Sequence, residues 1–451
     1  MTGESDPALQ RVNPSGGGAP AVPSLLARRI GQRIFSRVLT LARPRGRALT
    51  LTPEEVAAAL RHLPGFVWLD TSGCCPEADR DGAVSLFAAC PLSVLRGHIS
   101  DTAPLEEALA SLAGNGGAVD WGLPLCGLIG AIDYDGSYVF GNYSQLVIYR
   151  HQTGEWYGTG DLLSLARPGE LPAMPQPLEF LPEMPRGEFC RRVERAQEYI
   201  TAGDIYQVNL AHRFSAAWPQ EADPFAFYLR LREASPAPHA AYLSFDGRTV
   251  LSSSPESFLK MSGSVIRTRP VKGTRPRFSD PVADERSLRE LITSSKERAE
   301  LVMITDLLRS DLGMVCEYGS VRVTGLLQPE TYGQVHHLVS TVQGMLRPDV
   351  SHAAALAACF PGGSITGAPK KRAREIIREL EPVPRGLYTG AIGFLGANGE
   401  SHFSIAIRTV TVEQDVASFH SGAGIVADSV PEMEWEETLH KAAGILAAAH
   451  G

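Results

Sequence analysis

The amino-acid sequence predicts an α+β fold in one large two-layered body, and three observations support this prediction. Strand-like and helix-like segments come in blocks and not in strict βαβ alternation. Between residues 66 and 150, short apolar runs are separated by Gly, Asp, Pro and Asn turns, which is typical of an antiparallel sheet. The 451 residues are 44% hydrophobic and 20% charged, which is enough apolar material for an extensive core.

The individual elements follow from the spacing of the apolar residues. Four strands are predicted first, in FVWLDTSG, AVSLFAAC, LCGLIGAIDYD and SQLVIYR. A helix over CRRVERAQEYITAG ends at Gly203, and strands follow in YQVNLAHRF, AAYLSF, TVLSSSP and VIRTRP. The segment SLRELITSSKERAELVMITDLLRSDLG predicts one long helical stretch. The remaining predictions are strands in SVRVTGLL and YGQVHHLVSTVQGML, a helix in KKRAREIIREL, strands in IGFLG and HFSIAIRTVTV, and a helix in PEMEWEETLHKAAGILAAA.

Composition also divides the chain into regions. Residues 1–24 are rich in Gly, Pro and Ser, which predicts a disordered tail. Residues 25–165 form an N-terminal region, a Pro-rich linker covers 166–186, and a second region covers 187–445. Residues 25–48 contain seven arginines among apolar residues; a solvated basic face on a docked helix or strand is favoured over a partner-binding or membrane-surface helix.

Charge and cysteine content exclude several classes of protein. A net charge of −8 repels nucleic acid and anionic membranes, so neither is an expected partner and an anionic ligand needs a local basic cluster. Seven cysteines without a CxxC pair argue against a disulfide framework or a zinc site. No run of eighteen apolar residues is present, and the first ten residues lack the pattern of a signal peptide. A cytoplasmic location is therefore expected.

Two pairs of glutamates lie on predicted helices with the same spacing. Glu297 and Glu300 are three residues apart, as are Glu434 and Glu437, so each pair can share a helical face. Such oxygen ligands suit Mg²⁺ when water and an anionic substrate complete its coordination. On spacing alone, a solvated acidic face is the commoner explanation.

Two glycine-rich segments, FPGGSITGAPKKR (360–372) and HSGAGIVADS (420–429), allow backbone N–H groups to approach an anion. Neither has the spacing of a Walker loop or of a dinucleotide fingerprint. Taken alone, such segments are turns more often than binding sites.

Lys272 lies in RTRPVKGTRPR, where four arginines surround it and no acid is present. Converging positive charges depress the pKa of a lysine and favour a nucleophilic amine, but alternate residues of an extended segment face opposite sides. A nucleophile and a basic surface loop are equally consistent with this composition. Glu256 lies sixteen residues upstream in SSSPESFL, and a buried carboxyl group there is a candidate general acid.

The order of these segments resembles the chorismate-utilising enzymes, which include anthranilate synthase component I, aminodeoxychorismate synthase component I, and isochorismate and salicylate synthases. The matching segments include GDIYQVNLAHRF, SSSPESFL, RTRPVKGTRPR, ERAELVMITDLLRSDLG, YGQVHHLVSTVQG, FPGGSITGAPKKRAREII, GLYTGAIGF, SIAIRT and GAGIVADSVPEMEWEETLHKA. They cover residues 187–445, and a weaker similarity covers about 64–150. The resemblance implies a large two-layered antiparallel β-sheet sandwich flanked by helices, of the anthranilate synthase component I type.

The resemblance also implies roles for individual residues. Mg²⁺ would be held by Glu300 and Glu437, with Glu297 and Glu434 as neighbours through water. Glu256 matches the general acid that assists departure of the C4 hydroxyl. The implied substrate-binding residues are Tyr388, Arg408, Lys441, Thr274, His337 against the ring, and the groups around Thr366, Gly422 and Gly424.

Two positions bear on the reaction. Family members that add water at C2 have a lysine at the position of Gln207, and anthranilate-forming members commonly have alanine at that of Lys272. The resemblance therefore implies a transferase that makes 4-amino-4-deoxychorismate, for 4-aminobenzoate and folate, through attack of Lys272 on C2. The chain has no amidotransferase cysteine segment, so ammonia is expected from a separate glutamine amidotransferase subunit. The alternatives are anthranilate synthesis and a non-catalytic chorismate-binding regulatory protein.

Overall fold

A computed structural model of the chain describes residues 51–72, 83–113, 122–167, 169, 171–172, 177–333 and 335–450. The predicted disordered tail over 1–24 and the basic stretch over 25–48 lie outside these residues. In the part that is described, no helix has the length and apolar character needed to span a membrane.

The described residues form two large sheets. The first contains eleven strands, and all of their pairings are antiparallel. In spatial order they are β17 (Gly367–Ala368), β9 (Gln207–Ala217), β21 (Val416–Ile425), β20 (Thr409–Glu413), β11 (Arg248–Ser254), β10 (His239–Phe245), β1 (Phe66–Asp70), β2 (Val84–Ala88), β6 (Val147–Arg150) and β7 (Glu155–Gly158). The short β8 (Leu181–Pro182) pairs with β9.

The second sheet contains ten strands and is also antiparallel throughout. In spatial order they are β14 (Val271–Pro276), β16 (Val335–Met345), β13 (Val265–Arg269), β12 (Ser257–Ser262), β19 (Glu400–Ile405), β18 (Ala391–Gly396), β4 (Gly127–Ile132), β5 (Ser137–Tyr143) and β3 (Ser93–His98). The tenth strand, β15 (Arg322–Thr331), pairs with β16.

Helices pack on the outer faces of the two sheets. They are α1 (Pro53–Leu60), α2 (Ala103–Ala113), α3 (Arg186–Thr201), α4 (Pro224–Ala234), α5 (Pro281–Thr293), α6 (Ser295–Gly313), α7 (His352–Cys359), α8 (Lys370–Leu380) and α9 (Pro431–His450). In α8 the buried residues Ala373, Ile376, Ile377 and Leu380 follow the helical period, because one face of KKRAREIIREL packs on the protein.

Separate hydrophobic clusters fill the layers. Val67, Leu243 and Ile392 belong to a cluster that joins the inner faces of both sheets. Two larger clusters join each sheet to the helices outside it. The prediction of a two-layered antiparallel sandwich flanked by helices is therefore confirmed.

Strands from the N-terminal region are part of the same sheets as the later strands. β1 pairs with β10, and β4 pairs with β18 along its whole length. These pairings place strands from both sides of the Pro-rich segment in each sheet.

Three of the predicted elements differ in the structure, and no sequence prediction covers the helices α1, α2, α4 and α7. The long helical stretch is two helices, because Ser294 has extended backbone (ψ 111°) and its hydroxyl accepts a hydrogen bond from Glu297 N at the start of α6 (3.3 Å). The segment HFSIAIRTVTV is two strands in different sheets, with Arg408 between them at a φ of +50°. The segment around Gly422 is not a turn but part of β21, paired with β9.

Candidate active site

The residues that the sequence singles out meet where one end of each sheet comes together. β14 ends the second sheet, and β17, β9 and β21 lie at one end of the first. A Cβ atom built on Gly424 of β21 would lie 3.9 Å from Lys272 Nζ of β14 and 2.5 Å from Gln207 Nε2 of β9. The absence of a side chain at Gly424 therefore leaves room for the Gln207 amide, and the Lys272 amine lies beside the same point of β21.

An acidic side chain of α6 lies near the Lys272 amine. Lys272 Nζ lies 3.9 Å from Glu300 Oε2. Three of the four surrounding arginines pair with acids outside the segment RTRPVKGTRPR. Arg269 pairs with Glu330, Arg275 with Glu297 (3.5 Å) and Arg277 with Asp284 (3.0 Å).

Glu256 lies in the turn between β11 and β12 and is only 6% exposed. Its backbone is fixed on both sides, since Ile405 N donates to its carbonyl (3.0 Å) and its own N–H donates to Ser254 Oγ (3.3 Å). Burial raises the pKa of its carboxyl group, and the Ser364 hydroxyl and the charge of Lys272 partly oppose that rise. A carboxyl group in this environment holds its proton more readily, as a general acid requires.

His337 projects from β16 and is buried. Its Nδ1 lies 3.1 Å from both the Gly273 carbonyl oxygen and Thr274 Oγ1. Because a carbonyl oxygen only accepts, Nδ1 carries the proton and Nε2 retains its lone pair. Burial lowers the pKa of His337 to about 4, and Arg408 contributes to the decrease, so the ring is neutral at neutral pH.

Arg408 is a half-buried cation without an acid. Among the residues that the structure describes, its guanidinium has no ion pair and no side-chain hydrogen bond, and burial lowers its pKa. Lys441 adds a second cation, with its Nζ donating to the Gly422 carbonyl (3.0 Å) and pairing with Glu437 Oε1 (2.7 Å). A desolvated guanidinium of this kind is suited to bind a carboxylate.

Four glutamates from α6 and α9 face this region. Burial raises the pKa values of Glu300 and Glu434. Burial also acts on Glu437, but Lys441, Lys272 and Lys296 together outweigh it and lower the pKa of that carboxyl group. Glu434 Oε1 accepts from Ser429 Oγ (2.7 Å), whereas its buried Oε2 has no hydrogen-bond partner among the described residues.

No group of three or more His, Cys, Asp or Glu side chains in the described chain is arranged to hold a metal ion by itself. The donors nevertheless fit a hard cation. They are carboxylate oxygens, one of them buried and unsatisfied, and Glu300 feels the negative charges of Glu297 and Glu437. Mg²⁺ characteristically uses few protein carboxylates together with water and substrate oxygens. Mg²⁺ binding therefore stays a prediction, and this set of donor atoms suits it.

Tyr388 and Thr366 line the same end of the first sheet. A Cβ atom built on Gly422 would lie 2.8 Å from Tyr388 OH, which also accepts a long hydrogen bond from Asn209 Nδ2 (3.5 Å). The buried Thr366 hydroxyl donates internally to the Gly362 carbonyl (3.1 Å), while its own carbonyl accepts from Asn209 N (2.8 Å). The Thr366 hydroxyl is therefore used in holding its loop.

Sequence reasoning missed Arg385 and Glu381, which form a buried ion pair beside Tyr388. Arg385 lies in EPVPRGLY, and neither it nor Glu381 is among the site residues predicted from the sequence. The sequence feature that could have indicated this ion pair is the four-residue separation of Glu381 and Arg385, which carry opposite charges.

Comparison with known proteins identifies relatives of the catalytic region. The family model for chorismate binding enzymes matches residues 133–447. Over 262 residues the chain is 49% identical to anthranilate synthase component 1 of Streptomyces coelicolor, covering 58% of this chain and 51% of that protein. Over 264 residues it is 47% identical to aminodeoxychorismate synthase component 1 of Salmonella typhimurium, covering 58% of each. The chain thus spans about half the length of these relatives, and proteins of both names match almost equally.

Solved structures show the same architecture. Anthranilate synthase component I from Streptococcus pneumoniae superimposes with a TM-score of 0.72 at 29% identity, covering 80% of this chain and 92% of that one. The menaquinone-specific isochorismate synthase MenF from Escherichia coli gives 0.72 at 19% identity, covering 94% and 99%. The second likeness shows the fold alone.

Proposed function

This chain belongs to the chorismate-binding enzyme family, and from that premise we propose that it converts chorismate and ammonia to 4-amino-4-deoxychorismate. The observation that carries the proposal is the position of Lys272. Its amine lies beside Gly424 and 3.9 Å from Glu300 Oε2, while Gln207 stands where water-adding members have a lysine. Anthranilate formation does not require an amine at that place.

The reaction proceeds by two displacements. The Lys272 amine attacks C2 of chorismate, the ring double bonds shift, and the C4 hydroxyl leaves as water after accepting a proton from Glu256. Ammonia then adds at C4, the double bonds shift back, and Lys272 leaves from C2. Ammonia gives up one proton as it becomes the C4 amine, and that proton restores Glu256, while Lys272 regains the N–H proton that it lost on forming the adduct. The products are 4-amino-4-deoxychorismate and water.

The other residues of the site bind and orient the dianionic substrate. Arg408 and Lys441 supply positive charge toward its carboxylates, and neutral His337 faces the ring. Tyr388, Thr274 and the backbone around Thr366, Gly422 and Gly424 shape the pocket. Excluding water from these charges strengthens their interaction with the substrate.

Glu300 and Glu437 would hold Mg²⁺, with Glu297 and Glu434 as neighbours through water. Bound there, Mg²⁺ would neutralise carboxylate charge and polarise the C1 carboxylate of the substrate. Burial raises the pKa values of Glu300 and Glu434, and a bound cation would oppose that effect.

The proposed ammonia source is a separate glutamine amidotransferase subunit, as the words "component 1" in the relatives' names suggest. A further enzyme would release pyruvate from the product to give 4-aminobenzoate for folate. We place this chemistry in the cytoplasm.

Product identification tests the proposal. The protein is incubated with chorismate, Mg²⁺ and an ammonium salt, and products are separated by chromatography with mass detection. A product with the mass of 4-amino-4-deoxychorismate supports it. Direct formation of fluorescent anthranilate would overturn it in favour of anthranilate synthesis, and chorismate binding without turnover would indicate a regulatory binding protein.

Mass spectrometry of the intact protein tests the nucleophile. Chorismate without ammonia should give a covalent adduct in the wild type that Lys272→Ala lacks. Lys371→Ala, at an exposed position of α8, is the matched control and should keep the adduct. Equal turnover by wild type and Lys272→Ala would contradict the covalent route.

A further inference from the structure

Arg385 lies in the turn between α8 and β18 and is only 4% exposed. A guanidinium carries five N–H donors in one plane, and here every one has an acceptor. Nε donates to Glu381 Oε2 (2.8 Å), Nη1 to the Ile365 carbonyl (3.2 Å) and Thr389 Oγ1 (3.0 Å), and Nη2 to the Asn209 carbonyl (2.8 Å) and Glu381 Oε1 (2.6 Å).

These acceptors belong to three separate segments of the candidate site. Ile365 precedes Thr366 in the glycine-rich loop, Asn209 lies on β9, and Thr389 follows Tyr388. One side chain therefore fixes three backbone segments that are up to 180 residues apart in sequence.

The plane of the guanidinium also contacts aromatic rings. Its carbon lies 4.7 Å from the ring centre of Tyr134 and 5.4 Å from that of Tyr388. Tyr388 in turn stacks on His420, with ring centres 5.4 Å apart and an interplanar angle of 17°. The Tyr388 ring is thus held between a cation and a second ring, which fixes the direction of its hydroxyl toward Gly422.

The Arg385–Glu381 ion pair contributes little net free energy to folding. Both side chains are at most 5% exposed, and desolvating two charges offsets most of their attraction. Glu381 compensates by accepting two hydrogen bonds from Arg385 and one from Ala211 N (2.9 Å) on β9. The role of the pair is therefore to fix the positions of the surrounding backbone segments, because no apolar residue or lysine supplies five directed donors.

We propose that Arg385, held by Glu381, is a positioning residue for substrate binding: it sets Tyr388, Thr366 and Asn209 in place without touching the substrate. This inference rests on the proposed function for the identity of the substrate. It does not depend on which product is formed.

The test replaces Arg385 with Ala in the full chain and measures chorismate consumption, chorismate affinity by calorimetry, and thermal unfolding. KM and Kd for chorismate should rise roughly tenfold or more, because the binding groups lose their common anchor. Guanidinium chloride at a non-denaturing concentration should restore part of the affinity by occupying the vacated space.

Arg232→Ala is the matched control. Arg232 is also poorly exposed, pairs with Asp70 (2.5 Å) and Glu54, and lies 5.3 Å from the Trp68 ring centre, but it contacts none of the site residues. It should lower the unfolding temperature while KM and Kd stay within about twofold of wild type, and guanidinium should not rescue it.

Glu381→Gln keeps the shape of the pair and provides a second variant if Arg385→Ala fails to fold. It should raise KM and Kd by a smaller factor of about three to ten, because one directed acceptor is lost. Folded Arg385→Ala or Glu381→Gln with unchanged Kd, or an equal increase in Arg232→Ala, would overturn the inference. A wild type that binds chorismate but does not consume it would count against the proposed function alone.

Discussion

Arg408→Met should raise the stability of the ligand-free protein and, at the same time, weaken chorismate binding. In the described chain the Arg408 guanidinium has no acidic partner, and burial lowers its pKa. The folded protein therefore carries a desolvation cost that only a bound anion offsets. Methionine keeps the aliphatic stem and removes the charge. The backbone at φ +50° is equally strained for both residues.

The magnitude follows from this partial burial. Removing an uncompensated, half-buried charge should increase the free energy of unfolding by about 1–2 kcal/mol. With an unfolding entropy near 2.1 cal/mol/K per residue over the roughly 375 residues that the structure describes, the unfolding temperature should rise by about 1–3 °C. Loss of a guanidinium–carboxylate pair should cost about 2–4 kcal/mol of binding, or roughly 30- to 1,000-fold in Kd.

Calorimetric unfolding with and without chorismate measures both effects. The wild-type unfolding temperature should increase with chorismate, whereas that of Arg408→Met should respond only weakly. Arg232→Met is the control with the opposite sign: it leaves Asp70 buried without its partner and should destabilise by about 3 kcal/mol while chorismate binding is kept. A ligand-free Arg408→Met that is less stable than wild type, or one that binds chorismate normally, would refute the reasoning.

Three further predictions concern the same site. Gly424→Ala places a Cβ 2.5 Å from Gln207 Nε2, so activity should fall about tenfold or more with little change in unfolding temperature. In Gly422→Ala the new Cβ meets the backbone of the neighbouring strand, so this variant should be less stable than wild type. Equal unfolding temperatures of the two variants would contradict this difference. Because burial raises the pKa of Glu256, kcat/KM should fall as pH rises through that pKa. Glu256→Gln should remove this decrease at high pH and lower kcat/KM by about 10²-fold or more. If the decrease persists in the variant, Glu256 is not the acid. Burial also raises the pKa of Glu434, so the folded state binds its proton more tightly and is destabilised as pH rises. Glu434→Gln should be about 1 kcal/mol more stable than wild type at pH 8, and the difference should shrink as pH falls toward the ordinary glutamate pKa. A stability difference that does not depend on pH would show another cause.

Local patterns predicted most of the regular structure. Alternating apolar residues and turn residues located β1, β2, β4 and β6, and the apolar period located α8. The helices α1, α2, α4 and α7 were missed, and the break between α5 and α6 is a local cap at Ser294. One further failure shows a tertiary contact overriding the pattern. HFSIAIRTVTV has continuous strand character, but its two halves belong to different sheets, and the change of sheet occurs at Arg408.

The run RTRPVKGTRPR shows the limit of composition as evidence. Sequence alone left open which arginines face Lys272. The structure pairs Arg269, Arg275 and Arg277 with Glu330, Glu297 and Asp284, respectively. These acids lie 7 to 61 residues from their partners, so no local pattern indicates the pairing.

The sequence by itself determined the fold class, the family and the chemical groups available: an amine, a candidate acid, four helical glutamates and several cations. Only the tertiary structure decided which of these groups lack a partner within the described part of the chain, as Arg408 and one oxygen of Glu434 do. It also decided which groups are used in internal hydrogen bonds, as the Thr366 hydroxyl and the donors of Arg385 are. The physical reason is that the free energy of a charged or polar group depends on its burial and its neighbours, and here those neighbours come from segments far apart in the chain.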